Sequence, residues 1–108
     1  MGASVMPSLT ERHVDNIWHI LQEAFSNVEK YAQPRNVLAS LKHSKGILAL
    51  EIADDGVGFD VARAEAGTGY GLANMKERTE KLGGVFTVES SPGHGTRLRV
   101  RIPVNSKQ

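Results

Sequence analysis

Leu48-Ala49-Leu50-Glu51-Ile52-Ala53-Asp54-Asp55-Gly56-Val57-Gly58-Phe59 is the stretch on which the fold turns. Leu48, Leu50 and Ile52 alternate with Ala49, Glu51 and Ala53, the two-residue period of a strand with one buried face. That strand runs directly into two carboxylates and two glycines. An acid at the end of a buried strand can accept a hydrogen bond from an exocyclic amine, such as that of adenine. Glycines two and four residues on let the backbone approach a flat ring. The same letters also spell an ordinary Asp/Gly turn. Asp54 holds the strand-end position, and Asp55 is better placed to serve the turn.

The period changes on either side of this strand. Upstream, Val37, Ala39 and Leu41 alternate with Leu38, Ser40 and Lys42, and His43-Ser44-Lys45-Gly46 breaks the pattern, so a β-hairpin is expected. Before it, Pro7 and a capping box at Ser8-Leu9-Thr10-Glu11 open a helix expected from about Leu9 to Ala32. Val14, Ile17, Leu21, Ala24 (or Phe25) and Val28 are its expected buried stripe, and Pro34 its stop. Trp18 reads as a packing residue at the rim.

Downstream, positions 54 to 71 keep no steady period and read as loop. Leu72, Met75, Thr79 and Leu82 share one face of a second helix, ended by Gly83-Gly84. Val85 to Glu89 reads as a strand, and Ser90-Ser91-Pro92-Gly93-His94-Gly95 as a turn. Leu98, Val100 and Ile102 then alternate with Arg97, Arg99 and Arg101 in a last strand ended by Pro103, its basic side reading as a solvated face. The order predicts an α+β sandwich, with helices on one face of a mainly antiparallel sheet. One domain over residues 9–104 is expected, with residues 1–8 as a leader and 105–108 as a polar tail.

Composition narrows the function classes. The chain has 108 residues, 40% hydrophobic and 23% charged, ordinary values for one globular domain. A formal net charge of +1 gives no electrostatic case for nucleic acid or an anionic membrane. With no cysteine, disulfides and thiolate metal sites are excluded. No apolar run approaches the ~18 residues of a membrane-spanning helix. The start is neither basic nor long enough for a signal peptide. A cytoplasmic location is expected, compatible with the cytoplasmic part of a membrane-bound sensor.

Three further constellations carry polar chemistry. On the first helix Glu23 and Asn27 lie four apart and share a face, with Lys30 and Tyr31 one turn on. A carboxylate, an amide oxygen and an ammonium in line suit Mg²⁺ and phosphate oxygens, although a solvated polar face has the same spacing. Gly67-Thr68-Gly69-Tyr70-Gly71-Leu72 leads straight into the second helix, where free N–H groups and the positive dipole end form an anion site. It is neither a dinucleotide fingerprint nor a Walker loop. Gly93-His94-Gly95-Thr96 places a hydroxyl at a strand start, within reach of a nucleobase through water, or is simply a hairpin turn.

These segments, in this order, resemble the ATPase domain of GHKL proteins, and the sensor histidine kinases in particular. Gln22-Glu23-Ala24 with Asn27 and Lys30 resembles the N box. Asp54-x-Gly56-x-Gly58-Phe59 resembles the G1 box, Gly69-Tyr70-Gly71-Leu72 the G2 box, and Gly95-Thr96 the terminal Gly-Thr element. Gly71-Leu72-Ala73-Asn74-Met75-Lys76-Glu77-Arg78, followed by Leu82-Gly83-Gly84, is similar to the kinases paired with NarL-type response regulators.

The resemblance implies the Bergerat fold, with a mixed, mainly antiparallel sheet, and it implies roles. Asn27 would hold Mg²⁺. Glu23 would sit by the γ-phosphate and orient or deprotonate the acceptor, and Lys30 would contact phosphate. Asp54 would accept from the adenine amine, with Gly56 and Gly58 at the ring and Thr96 completing that side. Gly69, Gly71 and the Leu72 amide would face phosphates, and positions 59 to 68 would form a short ATP lid.

The implied function is transfer of the γ-phosphate of Mg·ATP to a histidine on a separate dimerisation domain, with a response regulator further on. His13, His19, His43 and His94 do not sit in the acceptor motif. The family usually has a strand before the N-box helix, for which Val5 and Met6 leave little room. An N-terminally truncated domain with an exposed sheet edge is therefore expected. Tyr31 stands where this subgroup often has histidine. Two rival readings stand beside this one: a protein-serine kinase of the anti-sigma-factor type, and a non-catalytic, nucleotide-gated binding module.

Overall fold

A computed structural model describes residues 9–33, 36–62 and 69–104 of the chain. The expected leader 1–8, the tail 105–108, Pro34 and the lid positions 63–68 lie outside the described residues. The elements are helix α1 (Glu11–Asn27), a π-helical turn (Val28–Ala32), strands β1 (Val37–Ser44) and β2 (Ile47–Asp54), a short 3₁₀ turn (Gly69–Gly71), helix α2 (Leu72–Lys81), and strands β3 (Val85–Ser90) and β4 (Thr96–Pro103).

The four strands form one sheet in the order β1-β2-β4-β3. Its three pairings are all antiparallel, so nothing among the described residues makes the sheet mixed. A two-residue turn joins β1 to β2, with Lys45 at φ 53° and Gly46 at φ 77°. Positive φ at both central residues is the geometry that matches strand twist in a tight hairpin. It lets the strand continue through His43 and Ser44, two residues beyond the expected break.

One face of the sheet is covered. Leu48, Leu50 and Ile52 of β2 and Leu98, Val100 and Ile102 of β4 pack with Ile20 and Ala24 of α1 and Leu72, Met75 and Leu82 on or beside α2. The expected face of α2 is the observed one, and Met75 and Thr79 are 0% exposed. Gly83, at φ 75°, ends that helix in the left-handed conformation. On the opposite face Glu51 accepts from Arg97 Nε at 2.9 Å and faces Arg99 Nε at 3.8 Å. These are solvated pairs worth about 0–1 kcal/mol each.

Helix α1 departs from the sequence reading in three ways. Its cap is Thr10, whose Oγ1 accepts from the His13 N–H at 3.1 Å while the His13 ring accepts from the Thr10 N–H at 3.2 Å. The reciprocal box is therefore Thr10–His13, two residues beyond Ser8. Second, the α-helix ends at Asn27 and widens into the π turn, which stops where Gln33 turns left-handed at φ 48°.

Third, the buried stripe is Asn16, Ile20 and Ala24, with Ile17 and Leu21 at its margin. Val14, Phe25 and Trp18 face solvent, Trp18 being 57% exposed. The rotation follows from the seam with α2. Arg78 Nη1 donates to Asn16 Oδ1 at 3.1 Å, Asn16 Nδ2 donates to the Arg12 carbonyl at 2.9 Å, and Arg12 Nη2 donates to the Lys81 carbonyl at 2.9 Å. A buried amide with both ends paired is well tolerated.

Among the described residues β1 pairs only with β2, and its apolar residues are open: Leu38 is 67% and Leu41 60% exposed. Among the described residues β1 is thus the outer strand of the sheet. No helix among the described residues is long and apolar enough to cross a membrane.

Candidate nucleotide site

The strand register brings the sequence candidates together. Asp54, the last residue of β2, pairs directly with Thr96, the first of β4. The end of α1 lies over this point. Asn27, Asp54 and Thr96 line one slot whose walls include Ala24, Ile52 and Leu98. A dry-walled slot with a few polar groups is the ordinary make-up of a small-ligand pocket. Gly58 closes one side.

Each polar group is held in a defined state. Asp54 Oδ1 accepts from the Gly56 N–H at 2.8 Å, leaving Oδ2 without a hydrogen bond among the described residues. Asp55 turns away. Its two carboxylate oxygens accept from the Asn36 N–H at 2.9 Å and Asn36 Nδ2 at 3.0 Å. The two acids thus divide their work as their positions suggest.

Ser90 is a participant that the sequence did not flag. Its Oγ accepts from the Phe59 N–H at 2.9 Å, donates to the Gly95 carbonyl at 2.9 Å and lies 2.8 Å from Thr96 Oγ1. Because the single Ser90 proton is spent on Gly95, Thr96 must donate to Ser90. The Thr96 hydroxyl then offers the slot only lone pairs. The signal for Ser90 was a hydroxyl at the last position of β3, opposite Thr96, and only the register reveals it.

The two glycines after Asp54 serve the protein's own packing. A Cβ on Gly56 would land on the Ala32 carbonyl oxygen, which accepts from the Val57 N–H at 2.8 Å. That bond satisfies a carbonyl at the end of the π turn. Gly58, at φ 68°, packs on the Ser91 and Gly95 carbonyls, where a side chain has no room. Gly58 lines the slot and Gly56 lies behind it.

The remaining candidates are placed as follows. Glu23 lines an adjoining polar groove of about 170 Å³ between α1 and α2, with His19, Gln22, Ser26, Asn74 and Arg78. Gly71 packs against the Glu23 side chain at the start of α2. Gly69 begins the 3₁₀ turn, and Leu72 is buried in the core with its backbone in the first turn of α2. Lys30, on the π turn, is exposed and lines neither cavity. Phe59 and Tyr70 also reach the slot and stack with centroids 4.2 Å apart at 18°.

A helix over a sheet end, an acid after the second strand and a turn feeding a second helix frame one cleft. Residues 12–106 match the family described as histidine kinase-, DNA gyrase B-, and HSP90-like ATPases, and the chain belongs to it.

Similar proteins within that family carry a narrower description. Over 105 residues the chain is 39% identical to the sensor histidine kinase YhcY of Bacillus subtilis, covering 94% of this chain and 27% of YhcY. It is 38% identical over 90 residues to the sensor histidine kinase LiaS of the same organism, covering 83% of this chain and 25% of LiaS. With the sensor protein VraS of Staphylococcus epidermidis the identity is 36% over 94 residues, covering 87% of this chain and 27% of VraS. The chain thus spans about a quarter of the length of these relatives.

The fold is shared with the histidine kinase domain of the Erythrobacter litoralis EL346 blue-light activated histidine kinase. The TM-score is 0.70 and the identity 21%, covering 82% of this chain and 43% of that one.

Proposed function

We propose that this chain is the ATP-binding catalytic domain of a two-component sensor histidine kinase. It works with a histidine-bearing dimerisation domain and, through it, a response regulator. The observation that carries this reading is the convergence of Asn27, Asp54 and Thr96 on one slot.

The donor set fits an adenine nucleotide. Asp54 Oδ2 is an anionic acceptor beside apolar walls, suited to an exocyclic amine. The lone pairs of Thr96 accept on the same side, directly or through water. Gly58 and, behind it, Gly56 set the loop that bounds the ring. Asn27 Oδ1 is an oxygen ligand suited to a hydrated Mg²⁺. When bound, Mg²⁺ supplies the positive charge that draws the phosphate oxygens together.

The chain's own groups complete the machinery. The amides of Gly69, Gly71 and Leu72 sit at the start of α2, where the free N–H groups of a helix favour anions. Lys30, on a four-carbon stem, swings in from the π turn to neutralise phosphate. Glu23 stands in the polar groove next to Gly71. From there it orients the incoming imidazole or takes its proton as phosphorus is attacked.

Phosphate transfer from labelled ATP tests the reading. The chain alone should bind Mg·ATP without phosphorylating itself, and should phosphorylate a histidine-bearing dimerisation domain supplied in trans. Glu23→Gln should slow transfer by about 10²–10⁴-fold, the usual weight of a positioned acid–base group, and Asn27→Asp should abolish it. Stoichiometric serine phosphorylation would overturn the assignment in favour of a serine kinase. Nucleotide binding without any transfer to the acceptor domain would reduce the chain to a binding module.

A further inference from the structure

The slot is nearly full. Its free volume is about 20 Å³, room for one or two water molecules and less than a purine needs. Tyr70, stacked on Phe59, lines it together with Asn27 and Asp54. Tyr70 holds φ 64° and ψ −14°, a left-handed backbone that costs a residue with a Cβ free energy. The surroundings over-determine it. Asn27 Nδ2 donates to the Tyr70 carbonyl at 2.6 Å. The next residue, Gly71, at φ 61°, packs closely on the Glu23 carboxylate.

Asn27 and Glu23 are thus both in contact with the segment that feeds the second helix. We infer that Tyr70 is a gate residue. Its ring on Phe59 and its carbonyl on Asn27 close the slot, and an adenine ligand enters only when both contacts break. The inference rests on the nucleotide reading of the slot. Binding pays for this opening, because only the open fraction is competent and the apparent Kd rises in inverse proportion to it.

Calorimetry with ADP in the absence of Mg²⁺ reads the gate without the metal role of Asn27. Tyr70→Ala and, independently, Phe59→Leu should bind ADP roughly two- to tenfold more tightly, the equilibrium weight of one aromatic pair. Thermal unfolding of each variant establishes that it is folded.

Proton NMR of the nucleotide-free chain supplies a reading that needs no ligand. The Tyr70 ring protons should be shifted upfield by Phe59, and Phe59→Leu should return them to ordinary values. Weaker or unchanged ADP binding by Tyr70→Ala would overturn the gate, as would Tyr70 ring shifts that ignore Phe59→Leu. A native chain that shows the ring shifts yet binds no nucleotide would instead overturn the nucleotide reading and leave the stack in place.

Discussion

Replacing Asp54 by asparagine alters a single atom and has a calculable consequence. In the native chain Oδ1 is committed to the Gly56 N–H at 2.8 Å, and Oδ2 is open to the slot. An asparagine must put its one oxygen on one side or the other. If oxygen stays on Gly56, the new NH₂ points at the adenine amine, donor against donor. If the amide flips, the NH₂ meets the Gly56 N–H instead, and the loop that carries Gly58 loses its anchor.

Either way one buried donor goes unpaired on nucleotide binding. That costs about 1–3 kcal/mol, or roughly five- to 150-fold in Kd. Calorimetric titration with ADP, native against Asp54→Asn, measures it. Asp55→Asn is the control, since its carboxylate serves Asn36 and lies off the slot. Equal affinity of the native and Asp54→Asn chains would mean that Asp54 accepts nothing from the nucleotide.

Other outcomes follow from packing. Gly56→Ala forces a methyl group onto the Ala32 carbonyl, which cannot retreat as a side chain does. Overpacking of this kind costs about 1–3 kcal/mol, and thermal unfolding should show a Tm lower by about 4–8 °C per kcal/mol for a domain of this size. An unchanged Tm would place Gly56 elsewhere. Met75→Ala empties a fully buried position and should cost about 2–5 kcal/mol in urea unfolding, whereas the exposed Val85→Thr should stay within about 0.5 kcal/mol of the native chain. Trp18, the only tryptophan, should emit at solvent-like wavelengths and be quenched readily by iodide. Blue-shifted, protected emission at rising protein concentration would instead mean that the α1 flank is covered by association.

Element order was legible because each element follows its own period. The alternation in β2 and β4 and the Leu72, Met75, Thr79 and Leu82 spacing of α2 name their buried faces outright, since those faces meet the core squarely. On α1 the same reasoning missed, because two surfaces compete for one helix. The polar seam of Arg12, Asn16 and Arg78 turns α1 toward α2 and leaves Val14, Trp18 and Phe25 outside. Hydropathy counts apolar residues and takes no account of a buried amide that is fully paired.

The slot divides in the same way. Asp54 was legible from its place at a strand end, but its neighbour Thr96 and the Ser90 hydroxyl that orients it depend on strand register, a long-range fact. The glycines after Asp54 read as space for a ligand. Much of that space is taken by the carbonyls of Ala32, Ser91 and Gly95. The Phe59–Tyr70 stack joins two segments that no local pattern connects.

Amide chemical-shift mapping in ¹⁵N-labelled protein, titrated with ADP, shows where a nucleotide sits. Saturable shifts should gather at Asn27, Asp54, Gly58, Tyr70 and Thr96, while Arg99 and Arg101, farther along β4, stay still. Shifts confined to that arginine row, or scattered with no saturation, would contradict the existence of a purine slot between α1 and the sheet end.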